Sequence, residues 1–227
     1  SDLPRLGSDG GWVKILEDAG VEVAPLKPSN CGFKVEWSEH LRTKFAGTPL
    51  KGISISHEGK SQKGELIITE SGIEGGAVYA LSASVRDAIE AKGEAVLHID
   101  LRPDMSVQQL EKKLGTRGKE SLSTYLRKAG FAPAAISLLH EVGAKGELAA
   151  QLKALPIKLT GTSGIARAIS SAGGITQNAV DENLQLKKLP NVFVCGEMLN
   201  WEAPTGGYLL QGCFSTAVAA AGGIIKY

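Results

Sequence analysis

The stretch GEMLNWEAPTGGYLLQG, residues 196–212, gathers residue types that can hold a ligand. It follows NVFVC, an apolar run that reads as a buried parallel strand ending at Cys195. Open α/β sheets bind their ligands beyond the carboxyl ends of such strands. Gly196 lets a ligand approach the backbone, and Glu197 offers a carboxylate suited to sugar or ribityl hydroxyls. Thr205, Gly206 and Gly207 then open a helix, and the free N–H groups at a helix start attract anions or partial negative charge. A glycine in a helix costs about 1 kcal/mol relative to alanine, so something offsets the pair. Residue types alone leave two readings: a cofactor cradle, or a tight turn beside a solvated Glu197.

Other groups carry less chemistry. GTSGIA, residues 161–166, looks like the start of a nucleophile elbow, but the last glycine of that pattern is replaced by Ile165. His98 and Asp100 alternate along one strand and share a face; a general base or a plain surface pair would both look like this. The run LEKKLGTRGKE holds Lys112, Lys113, Arg117 and Lys119, which reads as a solvated helix end or, more sharply, as a clamp for an NADPH phosphate. Cys31, Cys195 and Cys213 form no CxxC pair and no zinc spacing. No metal is expected, and reduced thiols point to a cytoplasmic protein.

The elements that must position these groups follow from composition and periodicity. The 227 residues are 43% hydrophobic and 22% charged, ordinary values for a globular chain. A net charge of +1 gives no argument for nucleic acid or an acidic membrane surface. No stretch reads as long and apolar enough to span a bilayer, and no signal-peptide pattern is seen.

Ser8 or Asp9 is expected to cap a helix over GGWVKILEDAG, with Trp12, Val13, Ile15 and Leu16 on one face, before the strand VEVAPL. CGFKVEW, KGISISHEG and GELIITES are short segments of near-alternating polarity, as in a small antiparallel sheet or barrel. A helix is expected over 76–91 and a strand over EAVLHIDLRP. SVQQLEKKLG, SLSTYLRKAG, PAAISLLHEVG and ELAAQLKALP each carry apolar residues three or four apart and end in Gly or Pro, so they read as four short helices. The last third returns to α/β signals: a strand over 166–170, the strand NVFVC, and a helix from GGYLLQG onward that is rich in small residues and suited to packing beneath a sheet.

Four ordered segments resemble the HI0933-like (also called YhiN- or BaiN-like) family of FAD-dependent oxidoreductases. They are PRLGSDGGW, GELIITESGIEGGAVYALS, ISSAGGI and GEMLNWEAPTGGYLLQ, and they span most of the chain. The last points to the subgroup with Trp-Glu-Ala-Pro in its loop. The resemblance implies a two-dinucleotide-type, Rossmann-like FAD domain interrupted by a β-barrel-like insertion and a helical insertion. The expected segments are 1–27 and 158–227 for the FAD domain, 28–104 for the β-rich insertion and 105–157 for the helical one. The family's glycine-rich phosphate loop would precede Pro4, so the chain is expected to be a fragment that is inactive by itself.

By the same resemblance, Gly196 and Glu197 meet the ribityl and pyrophosphate side of FAD. Gly206, Gly207, Tyr208 and Leu209, with Gln211 in the same motif, present donors toward the flavin's pyrimidine edge. Gly173 and Gly174 permit close approach to the rings. Leu209 stands where the family usually has Asn, and Asn200 where it usually has an acid. Glu74 and Tyr79 are candidates for the substrate side. The implied activity is transfer of hydride or electrons through flavin, from a small-molecule substrate or from NAD(P)H, to an acceptor. No nucleic-acid or membrane partner is expected. The competing reading is a non-catalytic binding fragment or a flavin-free scaffold on the same fold.

Overall fold

The computed structural model describes residues 8–143 and 146–226. The first four residues of PRLGSDGGW, 4–7, lie outside the described residues. The chain is mixed α/β and divides into two units, Gly32–Ser163 and the two flanking segments.

The first flank carries α1 (Trp12–Asp18) and β1 (Val23–Ser29). The capping expectation is corrected here. Gly11 is the cap residue and has no side-chain cap, while Asp9 accepts a hydrogen bond from the Gly11 amide at 2.9 Å in a local turn. Leu16 alone of the four apolar candidates is buried, and Ile15 is 70% exposed.

The inserted unit runs β2 (Phe33–Lys34), α2 (Glu39–Phe45), β3 (Pro49–His57), β4 (Lys60–Thr69), β5 (Gly72–Glu74), α3 (Gly76–Ala80), α4 (Ser82–Lys92), β6 (Ala95–Asp100), α5 (Val107–Leu114), α6 (Leu122–Lys128), α7 (Pro133–Val142), α8 (Leu148–Lys153), β7 (Leu155–Leu159) and β8 (Gly161–Thr162). Its strands form one seven-stranded antiparallel sheet in the order β7-β6-β3-β4-β5-β2-β8. Period-two alternation builds it: Ala95, Leu97 and Ile99 of β6 point to the core, while Val96 and His98 face outward. The helix expected over 76–91 is two helices, because Leu81 leaves helical geometry at ψ 1° and its amide bonds to Val78 in a tighter turn. Leu110, Leu126, Leu138 and Leu139 bury completely from α5, α6 and α7. A reciprocal Ser106–Gln109 capping box starts α5. The Tyr125 hydroxyl donates to the Gly115 carbonyl at 2.7 Å and ties α6 to the end of α5.

The second flank carries β9 (Ser170–Ile175) and α9 (Tyr208–Ile225), with 3-10 turns at Ile165–Arg167, Gln177–Ala179 and Gly196–Met198. β9 pairs antiparallel with β1, Val23 opposite Ile175 and Ser29 opposite Ser170. Leu16, Val21, Ile175, Val180, Leu186 and Val194 close a small core in this unit. Three expectations change. The strand placed at 166–170 lies further on, and Ile165–Arg167 is a turn. NVFVC is not a strand among the described residues: Phe193 makes one antiparallel bridge to Gln185, and the Val194 amide bonds to the Leu184 carbonyl at 3.0 Å. A neighbouring loop therefore satisfies its backbone, and the run buries Val194 without joining a sheet. The ladder of this unit is antiparallel, with a single parallel bridge between Ile175 and Leu199.

The third concerns α9. Its 18 residues have a mean hydropathy of 1.4, so by length and composition one helix does reach the range that can cross a membrane. At 1.5 Å per residue it is about 27 Å long. Yet it is held as a protein layer along one narrow stripe, Leu209, Gly212, Cys213, Thr216, Ala220 and Gly223. Its other apolar side, including Leu210, Phe214 and Val218, is exposed, at 74% for Val218.

Two glycines set the spacing of this unit. A Cβ on Gly173 would lie 2.1 Å from the Pro25 carbonyl oxygen, and one on Gly174 2.5 Å from that of Met198. Both residues also have positive φ, 87° and 118°, which side chains oppose. Gly174→Ala is expected to cost about 2 kcal/mol or more in chemical denaturation. Gly222→Ala, in α9 with nothing within 4 Å of the added methyl, is expected to gain about 0.5–1 kcal/mol.

Candidate cofactor cradle

The nine residues singled out for cofactor contact all fall in the flanking unit, on β9, the Gly196–Met198 turn and the start of α9. Gly196 has φ 66°, and its amide donates to Thr216 Oγ1 at 2.9 Å. The Trp201 indole donates to the Gly196 carbonyl at 2.8 Å. Its ring occupies the space above Gly212, where an added Cβ would lie 2.2 Å from the ring edge. The turn is thus fastened to α9 by Thr216 and by the Trp201–Gly212 contact. Its other side is fastened to β9, because the Asn200 amide donates to the Ile175 carbonyl at 2.8 Å.

The loop after the turn is also anchored. Ser29 Oγ donates to Glu202 Oε2 at 2.6 Å, and Asn30 Nδ2 donates to Ala203 O at 2.8 Å and to Ser170 Oγ at 2.7 Å. Asn30 is buried at φ 47°. These anchors leave Pro204, Thr205, Gly206, Gly207 and Tyr208 exposed. Gly206 and Gly207 turn the chain into α9 at φ 116° and 89°. The helix has no side-chain cap, its first turn closes with Gln211 N–H to Gly207 O at 3.0 Å, and a Cβ on Gly207 would meet nothing within 4 Å. Donors at the start of a helix lack partners within it, so this end offers amides to an acceptor across open space. Below Trp201 a cleft of about 430 Å³ runs between Val180, Leu184, Leu199 and Thr216.

Glu197 sits beside Cys213 of α9. Burial pushes the Cys213 thiol up, and the Glu197 carboxylate pushes it up further; the Glu197 amide donating to the sulfur opposes both. All three cysteines are free thiols. Gly173 and Gly174 are accounted for by the β1 and turn backbones pressed against them, so they position the turn.

The remaining candidates belong to the inserted unit. Glu74 ends β5, and Tyr79 lies in α3, both in the inserted unit. Asp100 pairs with Lys153 at 2.6 Å and accepts from the Arg102 amide, which removes it as an orienter for His98. Trp201, Thr216, Ser29 and Asn30 were not foreseen. Gly212 within an otherwise good helix was the one sequence signal that something close must pass there.

A family model described as HI0933-like protein barrel and H2TH domain matches residues 27–170. The 3-dehydro-bile acid delta(4,6)-reductase of Clostridium scindens is 24% identical over 95% of this chain and 58% of its own length. The ribosomal RNA dihydrouridine synthase of Escherichia coli is 25% identical over 98% of this chain and 58% of its own. The enzyme of the same name from Haemophilus influenzae is 25% identical over 96% and 57%. The chain therefore spans somewhat under three fifths of these relatives.

The Glu197–Cys213 arrangement makes a measurable forecast. With Cys31 and Cys195 replaced by Ser, Cys213 is expected to alkylate at pH 8 more slowly than an ordinary thiol. Glu197→Gln removes the negative charge, lowers the thiol's pKa and is expected to speed that reaction about two- to fivefold. A rate unchanged by Glu197→Gln would separate the two side chains.

Proposed function

This chain belongs to the HI0933-like barrel and H2TH family, and on that premise we propose that it works within an FAD-dependent oxidoreductase. The observation that carries the reading is the uncapped, glycine-led start of α9, open to solvent and braced from behind by Trp201 and Thr216. Such an end suits a ligand rich in acceptors and negative charge, as FAD is.

In this reading the amides of Gly207, Tyr208 and Leu209 hold the acceptor edge of the cofactor, and Gln211 flanks them. A side-chain hydrogen bond from position 209 is replaced by its backbone N–H, since Leu209 has no polar atom there. Gly196 allows close approach, and Glu197 takes hydroxyl donors. FAD supplies hydride or electron transfer when bound. The flanking segments form part of a Rossmann-like FAD domain, and its remaining layer covers the exposed face of α9. NAD(P)H is the proposed reductant, and the three free thiols fit a reducing, cytoplasmic setting.

The names of the relatives share one chemistry: a delta(4,6)-reductase and a dihydrouridine synthase both saturate a carbon–carbon double bond. We carry that reaction class over to this protein.

The test is a visible spectrum of the purified full chain with FAD. Flavin bands near ~450 nm, retained through gel filtration, are expected. Gly207→Val, whose added Cβ would meet nothing within 4 Å but whose backbone is strained at φ 89°, is expected to weaken FAD at least tenfold, with circular dichroism used to check that α9 still forms. Absence of bound flavin, or affinity indifferent to Gly207→Val, would contradict the proposal.

A further inference from the structure

The net charge of +1 hides a local concentration. Residues 111–128 hold six of the chain's 25 basic side chains and two of its 24 acidic ones. The basic ones are Lys112 and Lys113 in the last turn of α5, Arg117 and Lys119 in the connection, and Arg127 and Lys128 in the last turn of α6. All six are exposed. The fold keeps them together, because Leu110 and Leu126 bury on the other side of their helices and the Tyr125 hydroxyl is bonded to Gly115.

Local partners do not neutralise this surface. Lys128 pairs with Glu120 at 2.8 Å, and Arg117 Nε donates to the Glu120 backbone carbonyl at 3.1 Å, which leaves its charge unpaired. Lys112, Lys113, Lys119 and Arg127 make no ion pair among the described residues. Helix dipoles account for cations in the last turns of α5 and α6. They do not account for Arg117 and Lys119, which lie in the loop between.

That loop has a second feature. It reads Gly115-Thr116-Arg117-Gly118, and a Cβ on either glycine would meet nothing within 4 Å. A Gly-x-x-Gly loop between two helices is one way RNA-binding modules clamp a sugar–phosphate backbone, because bare glycines let it approach. The likeness is to the loop alone, since this unit has a different fold.

We propose that the α5–α6 surface, centred on residues 115–119, docks the phosphate backbone of a single-stranded or looped RNA. The inference rests on the reductase reading above and narrows its substrate class to a base carried on RNA. Phosphate contacts fix position and carry no sequence information, so this surface holds the RNA while chemistry is done elsewhere.

The experiment is fluorescence anisotropy of the full chain with a labelled single-stranded 20-mer RNA containing uridines, at 50, 100 and 200 mM KCl. The variant K112Q/K113Q/R117Q/K119Q is expected to bind at least about tenfold more weakly at 100 mM, with a log–log salt slope reduced by about 3 for four lost charges. Gly118→Val keeps every charge, has room in the fold, and is expected to weaken binding severalfold. Lys51→Gln with Lys44→Gln, elsewhere on the same unit, is the control and is expected to leave binding within twofold. RNA affinity and slope unchanged in the fourfold variant would overturn the surface. Wild-type chain that holds flavin but binds no RNA at 50 mM would overturn it too, while leaving the reductase reading in place. Tighter binding to phosphatidylserine vesicles than to RNA, lost in the same variant, would overturn RNA as the partner.

Discussion

The flanking unit depends on backbone laid directly against backbone at Gly173 and Gly174. The first lets β9 meet the Pro25 carbonyl of β1, and the second lets β9 meet the chain at Met198 and Leu199. No side chain larger than hydrogen fits either place. Because these contacts fix the Gly196–Met198 turn to the small sheet, Thr216 and Trp201 can fix the same turn to α9. The start of α9 is thereby held in place by elements distant in sequence. Its amides are aimed by the frame behind them and not by a local cap. A preorganised donor set of this kind loses little freedom when a ligand arrives, which is how rigid sites gain affinity.

Much of this was legible in the sequence where burial is one-sided. The strands of the inserted unit alternate polarity, and the helices from α5 to α8 repeat their apolar residues every three or four positions and end at Gly or Pro. NVFVC misled because an unbroken apolar run has no period: it marks burial without saying whether a strand or a loop satisfies the backbone. SSAGGI misled in the other direction. The strand was placed before the two glycines, at 166–170, yet β9 runs through both because two other chain segments press on it there. The cradle residues were singled out because their types are unusual at a helix start. Their supports were not, because Trp201 over Gly212 and Asn30 on Ala203 join residues whose pairing no local pattern announces.

Averages concealed two further features. Mean composition gave an ordinary globular chain, although α9 carries an apolar face on each side. Small residues pack it inward, and Leu210, Phe214 and Val218 are left outward. A helix apolar all round normally belongs in the interior. The net charge in the same way averaged a basic α5–α6 surface against a remainder that is slightly acidic. Both features separate by face or by segment, which a whole-chain sum cannot resolve.

The central claim is that the start of α9 is an open donor set made ready by its frame. Amide hydrogen exchange of Gly207, Tyr208 and Leu209, followed in the full chain with and without FAD, tests it most directly. The account predicts fast exchange at these three amides without the cofactor, slow exchange at Gly196 and Asn200, and strong protection at all three on adding FAD. Amides already protected without FAD, or untouched by it, would contradict the account.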